Sequence, residues 1–254
     1  MPVPAVKLSA VIITFNEEHN IARCLESLKE VADEIIVVDS FSTDNTEQIC
    51  NKYSVRFVTR KWMGYSAQKN YANSLAQHEY ILSIDADEEL SNELIQSILE
   101  IKRKPHAHVY YFSRLTNYCG QWIRYCGWYP DKKCRIWENG VAEWQGDVHE
   151  ILVLEPKCSI AQLSGDLCHY TSYSIDQYLE RVNRYTDLMA KDALKKGKTS
   201  SVLDVVFNPV IKFFKSYFLQ LGFMDGYYGF IVCYTSAYAT FYKYLKIREL
   251  SKTS

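Results

Sequence analysis

The sequence predicts an α/β protein, a mostly parallel sheet with helices on both faces followed by a C-terminal helical extension. Three observations predict it. Over residues 8–102, short β-branched and apolar runs alternate with segments whose apolar residues recur at helical spacing. Acidic residues stand where those runs end. Near residue 170 the balance of charge reverses: residues 1–170 hold 17 basic and 23 acidic side chains, residues 171–254 hold 12 and 7. An acidic front and a basic, aromatic tail suit a catalytic body over residues 1–170 and a surface-binding extension over residues 171–254.

Residues 8–15 (Leu-Ser-Ala-Val-Ile-Ile-Thr-Phe) have the makeup of a central parallel strand, apolar on both faces. Asn16, Glu17 and Glu18 interrupt it, and Ile21, Cys24, Leu25 and Leu28 then follow at helical spacing. Residues 33–39 repeat the design, a buried strand ending in Asp39, with Ser42, Thr43 and Asp44 capping a short helix to about Asn51. Residues 55–59 read as a third strand and 65–76 as a helix. The fourth strand opens at Tyr80 and ends by presenting Asp85 and Asp87, before a helix from Ser91 to about Lys102.

From His108 to Glu155 the pattern turns irregular. Short strands over 108–114, 133–137 and 148–154 stand amid Trp122, Trp128, Trp137 and Trp144, aromatics read as core. Ser174 and Gln177, at capping-box spacing, then open a long amphipathic helix that ends at the lysine cluster 195–198. Beyond lie an apolar stretch with spaced lysines, 202–219, and a run over 227–242 that falls short of the ~20 residues a spanning helix needs. Such residues fit helices lying in an anionic membrane interface. A packed helical appendage or a dimer surface are the alternatives.

Open sheets of this kind bind ligands beyond the carboxyl ends of their strands, where Glu17, Asp39, Asp85 and Asp87 all fall. Alternation points residues i and i+2 of a strand the same way, so Asp85 and Asp87 are expected to converge. Two hard oxygen ligands suit Mg2+ or Mn2+, with a substrate diphosphate supplying further oxygens. Neither G-x-G-x-x-G nor G-x-x-x-x-G-K-[ST] occurs, which argues against NAD binding and a P-loop NTPase. The eight cysteines form no C-x-x-C pair and read as reduced thiols of a cytosolic protein, not as a zinc site. A net charge of −1 offers no footprint for nucleic acid.

Thr14-Phe15-Asn16-Glu17, Val38-Asp39-Ser40 with Asp44 close behind, Gln68-Lys69-Asn70 and Asp85-Ala86-Asp87-Glu88 resemble, in order over about residues 8–150, the motif series of family 2 glycosyltransferases of GT-A fold. The resemblance implies that the Thr14–Glu17 motif, with Thr14, Asn16 and Glu17, and Asp39 hold the nucleoside of a UDP-sugar. It implies that Asp85 and Asp87 hold the metal, ribose and diphosphate. Lys69 is then a phosphate contact or a solvated charge. Arg135 steadies the diphosphate or an anionic acceptor, or is a surface cation.

Sugar transfer from a nucleotide donor needs a base for the acceptor hydroxyl's proton. Gly146-Asp147-Val148-His149-Glu150 resembles the corresponding segment of the lipopolysaccharide-core glucosyltransferase branch. That resemblance implies Glu150 as base and His149 beside it as an acceptor or phosphate contact, with Asp147 the rival base. The commoner family pattern, an acidic pair opening a helix, is absent here. The branch implies transfer of glucose to a glycolipid, a heptose of the lipopolysaccharide inner core, by a peripheral enzyme on the cytoplasmic face of the inner membrane. Two other classes share parts of the pattern. A sugar-nucleotide nucleotidyltransferase would usually carry a Gly-rich basic loop after the first strand, and residues 15–20 contain neither Gly, Lys nor Arg. A non-catalytic sugar-nucleotide-binding membrane protein would keep the donor carboxylates and need no base.

Overall fold

The computed structural model describes residues 5–146 and 150–252. Two compact units make up the chain: Met1–Arg114 with Asp131–His169, and Leu115–Pro130 with Tyr170–Ser254. The second unit thus draws in a short stretch, 115–130, from the middle of the sequence.

The first unit begins β1 (Leu8–Thr14), α1 (Ile21–Leu28), β2 (Glu34–Asp39), α2 (Thr46–Cys50), β3 (Arg56–Thr59), α3 (Tyr65–Ser74), β4 (Tyr80–Asp85), β5 (Glu88–Leu90) and α4 (Asn92–Arg103). In chain order, strands β6 (Val109–Tyr118), β7 (Gln121–Ile123), β8 (Asp131–Glu138), β9 (Ala142–Gln145), β10 (Ile151–Leu154) and β11 (Ile160–Ser172) follow; β7 and the last residues of β6 and β11 belong to the second unit. The main sheet runs β3-β2-β1-β4-β8-β6-β11-β5, with β7 on β6, while β9 and β10 form a separate hairpin. Its first four strands are parallel; β8 then runs antiparallel to both β4 and β6.

Alternation along β1 sends successive side chains to opposite faces and so builds two cores. Leu8, Ala10 and Ile12 join Cys24, Leu25 and Leu28 of α1 and Leu94, Ile98 and Ile101 of α4. Val11 joins Ile36, Val38, Ile81 and Trp137 with Ala72 of α3 on the other. Helix α4 is well capped: the Ser91 hydroxyl accepts from Leu94 N, Glu93 lies in the first turn, and Lys102 and Arg103 lie in the last. Gly165 of β11 holds φ +93°, with the Leu94 backbone standing where a side chain would begin, so α4 can start against the strand.

Register decides which residues meet at the sheet's carboxyl edge. Thr14 is the partner of Asp39, and Ile13 that of Asp85, so the ends of β2, β1 and β4 lie side by side. Strand β4 stops at Asp85, and Ala86-Asp87 form a turn into β5. The expected alternation therefore ends at Asp85, two residues before Asp87.

The second unit contains α5 (Ile175–Lys195), α6 (Val202–Phe214), a π-helical turn (Lys215–Leu219), a 3-10 turn (Gly222–Asp225) and α7 (Gly226–Lys252). Ser174 caps α5 by accepting from Gln177 N, and the Gln177 side chain reaches Tyr173 N. Its core gathers Tyr118, Ile123, Cys126, Tyr178, Val182, Val232 and Cys233. No helix among the described residues is long and apolar enough to cross a membrane.

Candidate active site

Two groups of polar side chains form at the carboxyl edge of the parallel strands. The first ties the loop after β1 to the loop after β2. Asn16, at φ +54°, accepts from Thr43 N through its side chain (2.8 Å), and its own N–H donates to the Ser42 hydroxyl (2.8 Å). Asp39, 2% exposed, accepts from both the backbone and the hydroxyl of Ser42. Glu17 accepts from the Asn20 amide (2.7 Å), and its N–H donates to the Thr46 hydroxyl. Asp39, Asn16 and Thr14 thus form a prebuilt wall, in which the buried Thr14 hydroxyl is left without a partner among the described residues.

The second group is a chain of opposite charges. Lys69, on α3, stands 3.0 Å from Asp85 Oδ1 and 3.3 Å from Glu150 Oε1, with its ammonium 4.6 Å from the Trp144 ring centre. It is 4% exposed, so it is no solvated charge. Arg135, from β8, is equally buried, and its Nη2 lies 2.7 Å from Asp85 Oδ2 and 2.9 Å from Glu88 Oε1. Its charge is spent within the protein, not at the surface. Glu88, 1% exposed, also takes Arg114 on Oε1 and the Asp85 N–H on Oε2 (3.0 Å). Arg114 in turn reaches Asp131 at 2.7 Å.

Burial alone would push the Asp85 carboxyl up, but Arg135 and Lys69 outweigh it and hold Asp85 well below the usual carboxylate range. Burial likewise disfavours the Arg135 charge, and Asp85 and Glu88 more than offset that, raising it. Both groups are locked in their ionised forms.

Helix α3 also grips the hairpin strand that leads to Glu150. The Asn70 side chain donates to Trp144 O (2.8 Å) and accepts from Trp144 N (2.9 Å), and the Ser66 hydroxyl donates to Gly146 O. Glu150 is described; Asp147 and His149 lie outside the described residues.

Asp87 takes a different partner. Its Oδ2 lies 3.2 Å from His169 Nε2, while the buried His169 Nδ1 finds no partner among the described residues. His169 is placed there by β11, whose register sets it opposite Glu88. Among the described residues no group of three or more His, Cys, Asp or Glu side chains could hold a metal ion by itself. A carboxylate and an imidazole 3.2 Å apart nevertheless fit a divalent cation that draws its remaining oxygens from a substrate diphosphate. Both Asp85 oxygens face cations instead.

Sequence reasoning assigned no role to Glu88, Arg114, His169 or Asn70. Glu88 and Asn70 sit inside motifs it quoted. For Arg114 and His169 no spacing could have signalled the contact, because each arrives on a strand paired from far along the chain.

A central sheet that is parallel on one side and antiparallel on the other, with this edge, is the GT-A α/β fold of glycosyltransferases. The mannosyltransferase PcManGT from Pyrobaculum calidifontis, solved in complex with GDP-Man and Mn2+, shares it at a TM-score of 0.57 and 14% identity, over 97% of this chain and 88% of that one. The model of Glycosyl transferase family 2 matches residues 9–143, and the chain belongs to that family. It is 34% identical to an uncharacterised glycosyltransferase of Rickettsia typhi, over 98% of this chain and 89% of that protein. It is also 31% identical to the lipopolysaccharide core biosynthesis glycosyltransferase LpsC of Rhizobium meliloti, over 97% of this chain and 94% of that protein.

Proposed function

We propose that this family 2 glycosyltransferase moves a hexose, glucose, from UDP-glucose to a heptose of the lipopolysaccharide inner core or a related glycolipid, with inversion at the anomeric carbon. The observation that carries the reading is the placement of Glu150 beside Lys69 and Asp85 at the carboxyl edge of β4. A carboxylate is thereby brought next to the strand end where the donor's diphosphate would lie. The likeness to LpsC supports the acceptor class.

In this reading Thr14, Asn16, Glu17 and Asp39 line the nucleoside. The acceptor hydroxyl docks against Glu150, which takes its proton as the oxygen attacks the anomeric carbon from the face opposite the diphosphate. The C–O bond to UDP breaks in the same step, and UDP leaves with the bonding pair. Lys69 places positive charge beside both the base and the diphosphate, and Arg135 keeps Asp85 fixed and ionised for the donor's ribose and diphosphate. Asp87 and His169 would hold Mg2+ or Mn2+, which when bound neutralises charge on the departing diphosphate. His149 keeps the acceptor or phosphate contact that the family resemblance implies, and Asp147 remains the rival base.

A lipid-anchored acceptor requires the enzyme at a bilayer, so we place it peripherally on the cytoplasmic face of the inner membrane. Residues 1–170 are the donor-binding catalytic body in this reading, and residues 171–254 the membrane-associating extension. Calorimetric titration of UDP into the purified protein, with Mn2+ and again with EDTA, tests the donor site. Metal-dependent binding is expected. Silence towards UDP in both conditions would remove the donor assignment.

A further inference from the structure

Helix α6 is mostly apolar: its polar residues Asp204, Asn208 and Lys212 share one half-buried stripe at i, i+4 spacing, and apolar residues fill most of the rest. Its inner side is covered. Val205 is buried, and Phe213 stacks on Tyr217 at 5.4 Å and meets Phe230 of α7 at 5.8 Å. Its outer side is not. Val206, Phe207, Val210, Ile211, Phe214 and Phe218 recur at helical spacing as one stripe running into the π-helical turn, and each is about half or more exposed, between 49% and 60%. In the 3-10 turn that follows, Phe223 and Met224 are also exposed. A contiguous apolar surface of this extent marks a binding face.

We infer that this ridge, α6 with the two turns after it, is the surface that seats the enzyme in an anionic lipid bilayer, lying in the plane of the headgroups. This rests on the glycolipid-acceptor reading above and names the residues that would serve it. Charge selects the bilayer as occupant. Lys215 is exposed beside the stripe, whereas the two acids of the segment are turned to other work: Asp204 accepts from the Ser201 backbone and hydroxyl, and Asp225 from the N–H groups of Arg124 and Tyr125. Residues 171–254 as a whole carry 12 basic against 7 acidic side chains. Apolar anchors under a basic rim match anionic headgroups over acyl chains. Helix α6 has 13 residues, about 20 Å of helix at 1.5 Å per residue, which suits an in-plane anchor. The run over 227–242 sits instead in α7, whose Val232, Cys233 and Ala237 are buried inside the unit.

The test is flotation of the full chain with phosphatidylcholine vesicles, with and without phosphatidylglycerol, and with no donor, metal or acceptor present. Wild type is expected to float with the phosphatidylglycerol vesicles. A variant carrying Phe207→Ser, Ile211→Ser, Phe214→Ser and Phe218→Ser is expected to bind at least about tenfold less while melting as wild type does. Phe214→Trp, which preserves apolar bulk, should bind and shift its emission to the blue on adding those vesicles. Wild type that stays unbound, or a four-serine variant that floats equally well, overturns the inference. So does a wild-type dimer that the four substitutions dissociate without any flotation, which would assign the face to a second copy of the chain. Because nucleotide plays no part in the readout, failure of UDP binding beside successful flotation would remove the UDP-donor assignment and leave the ridge standing.

Discussion

Lys69 Nζ lies 3.3 Å from Glu150 Oε1, a contact between helix α3 and a residue 81 positions later in the chain. The same ammonium is 3.0 Å from Asp85, so one buried cation joins the proposed base to the strand that ends in the D-x-D motif. Replacing Glu150 by Gln keeps the shape and removes the proton acceptor. Turnover should fall by about 10²- to 10⁴-fold, with UDP affinity unchanged in calorimetry. Unchanged turnover would pass the role to another group, Asp147 first.

Lys69→Met should act differently, because it strips a partner from two carboxylates at once. Losing one side of a buried pair costs on the order of 3 kcal/mol, which urea denaturation would read directly. Lys69→Arg retains the charge and should recover most of that stability. If the Met variant were as stable as wild type, the Lys69 contacts would be incidental to folding.

Asp87 and His169 make the metal question separable from the donor question. Asp87→Asn or His169→Ala should abolish most of the gain in UDP affinity that Mn2+ gives, at least about tenfold if each supplies one ligand. Affinity measured in EDTA should stay where it was. A full metal response in both variants would move the cation elsewhere.

Acid should find the Asp85 ion pairs. The Asp85 carboxyl is held well below its usual range, Arg135 and Lys69 outweighing the effect of burial. A group depressed on folding contributes stability that is complete above its unfolded value, about 3.9, and is lost as pH falls towards its folded value. Wild type should therefore lose urea stability progressively below about pH 4, while Asp85→Asn, less stable at neutral pH, should lose less over the same range. Parallel pH profiles for the two proteins would show that Asp85 carries no such linkage.

The parallel half of the sheet could be read in the sequence because strands buried on both faces leave continuous apolar runs, as in β1, β2 and β4. The carboxyl-end position of Asp39 and Asp85 follows from the same runs. What could not be read depends on pairing across long stretches of chain. Arg135 looks like a surface cation among Lys132, Lys133 and Arg135 until β8 is inserted between β4 and β6, where its side chain meets Asp85 and Glu88. His169 comes beside Asp87 only because β11 pairs with β5. The turn at Ala86-Asp87 was hidden for a local reason: Ile84 to Leu90 carries no Gly, Pro or Asn to announce it.

Asn70 offers the sharpest separation of position from chemistry. It touches no expected substrate atom, yet its amide closes two hydrogen bonds on the Trp144 backbone, 2.8 and 2.9 Å, and so pins β9 to α3. Five residues after β9 comes Glu150. Asn70→Ala leaves a backbone donor and acceptor without partners, at a cost of about 1–3 kcal/mol, and frees the hairpin strand to shift. A base displaced by even 1 Å costs on the order of 10² in rate, so kcat should fall by tens of fold or more. The donor's KM should barely move, because the wall made by Thr14, Asn16 and Asp39 is built from the ends of β1 and β2 and the loop after β1, none of which Asn70 holds. Asn70→Asp keeps the acceptor but loses the donor, and should lie between wild type and Ala in both kcat and melting temperature. A variant that loses stability with kcat intact would reduce Asn70 to a structural clamp. Equal losses in kcat and donor affinity would instead mean that α3 shapes the donor pocket as well as the base.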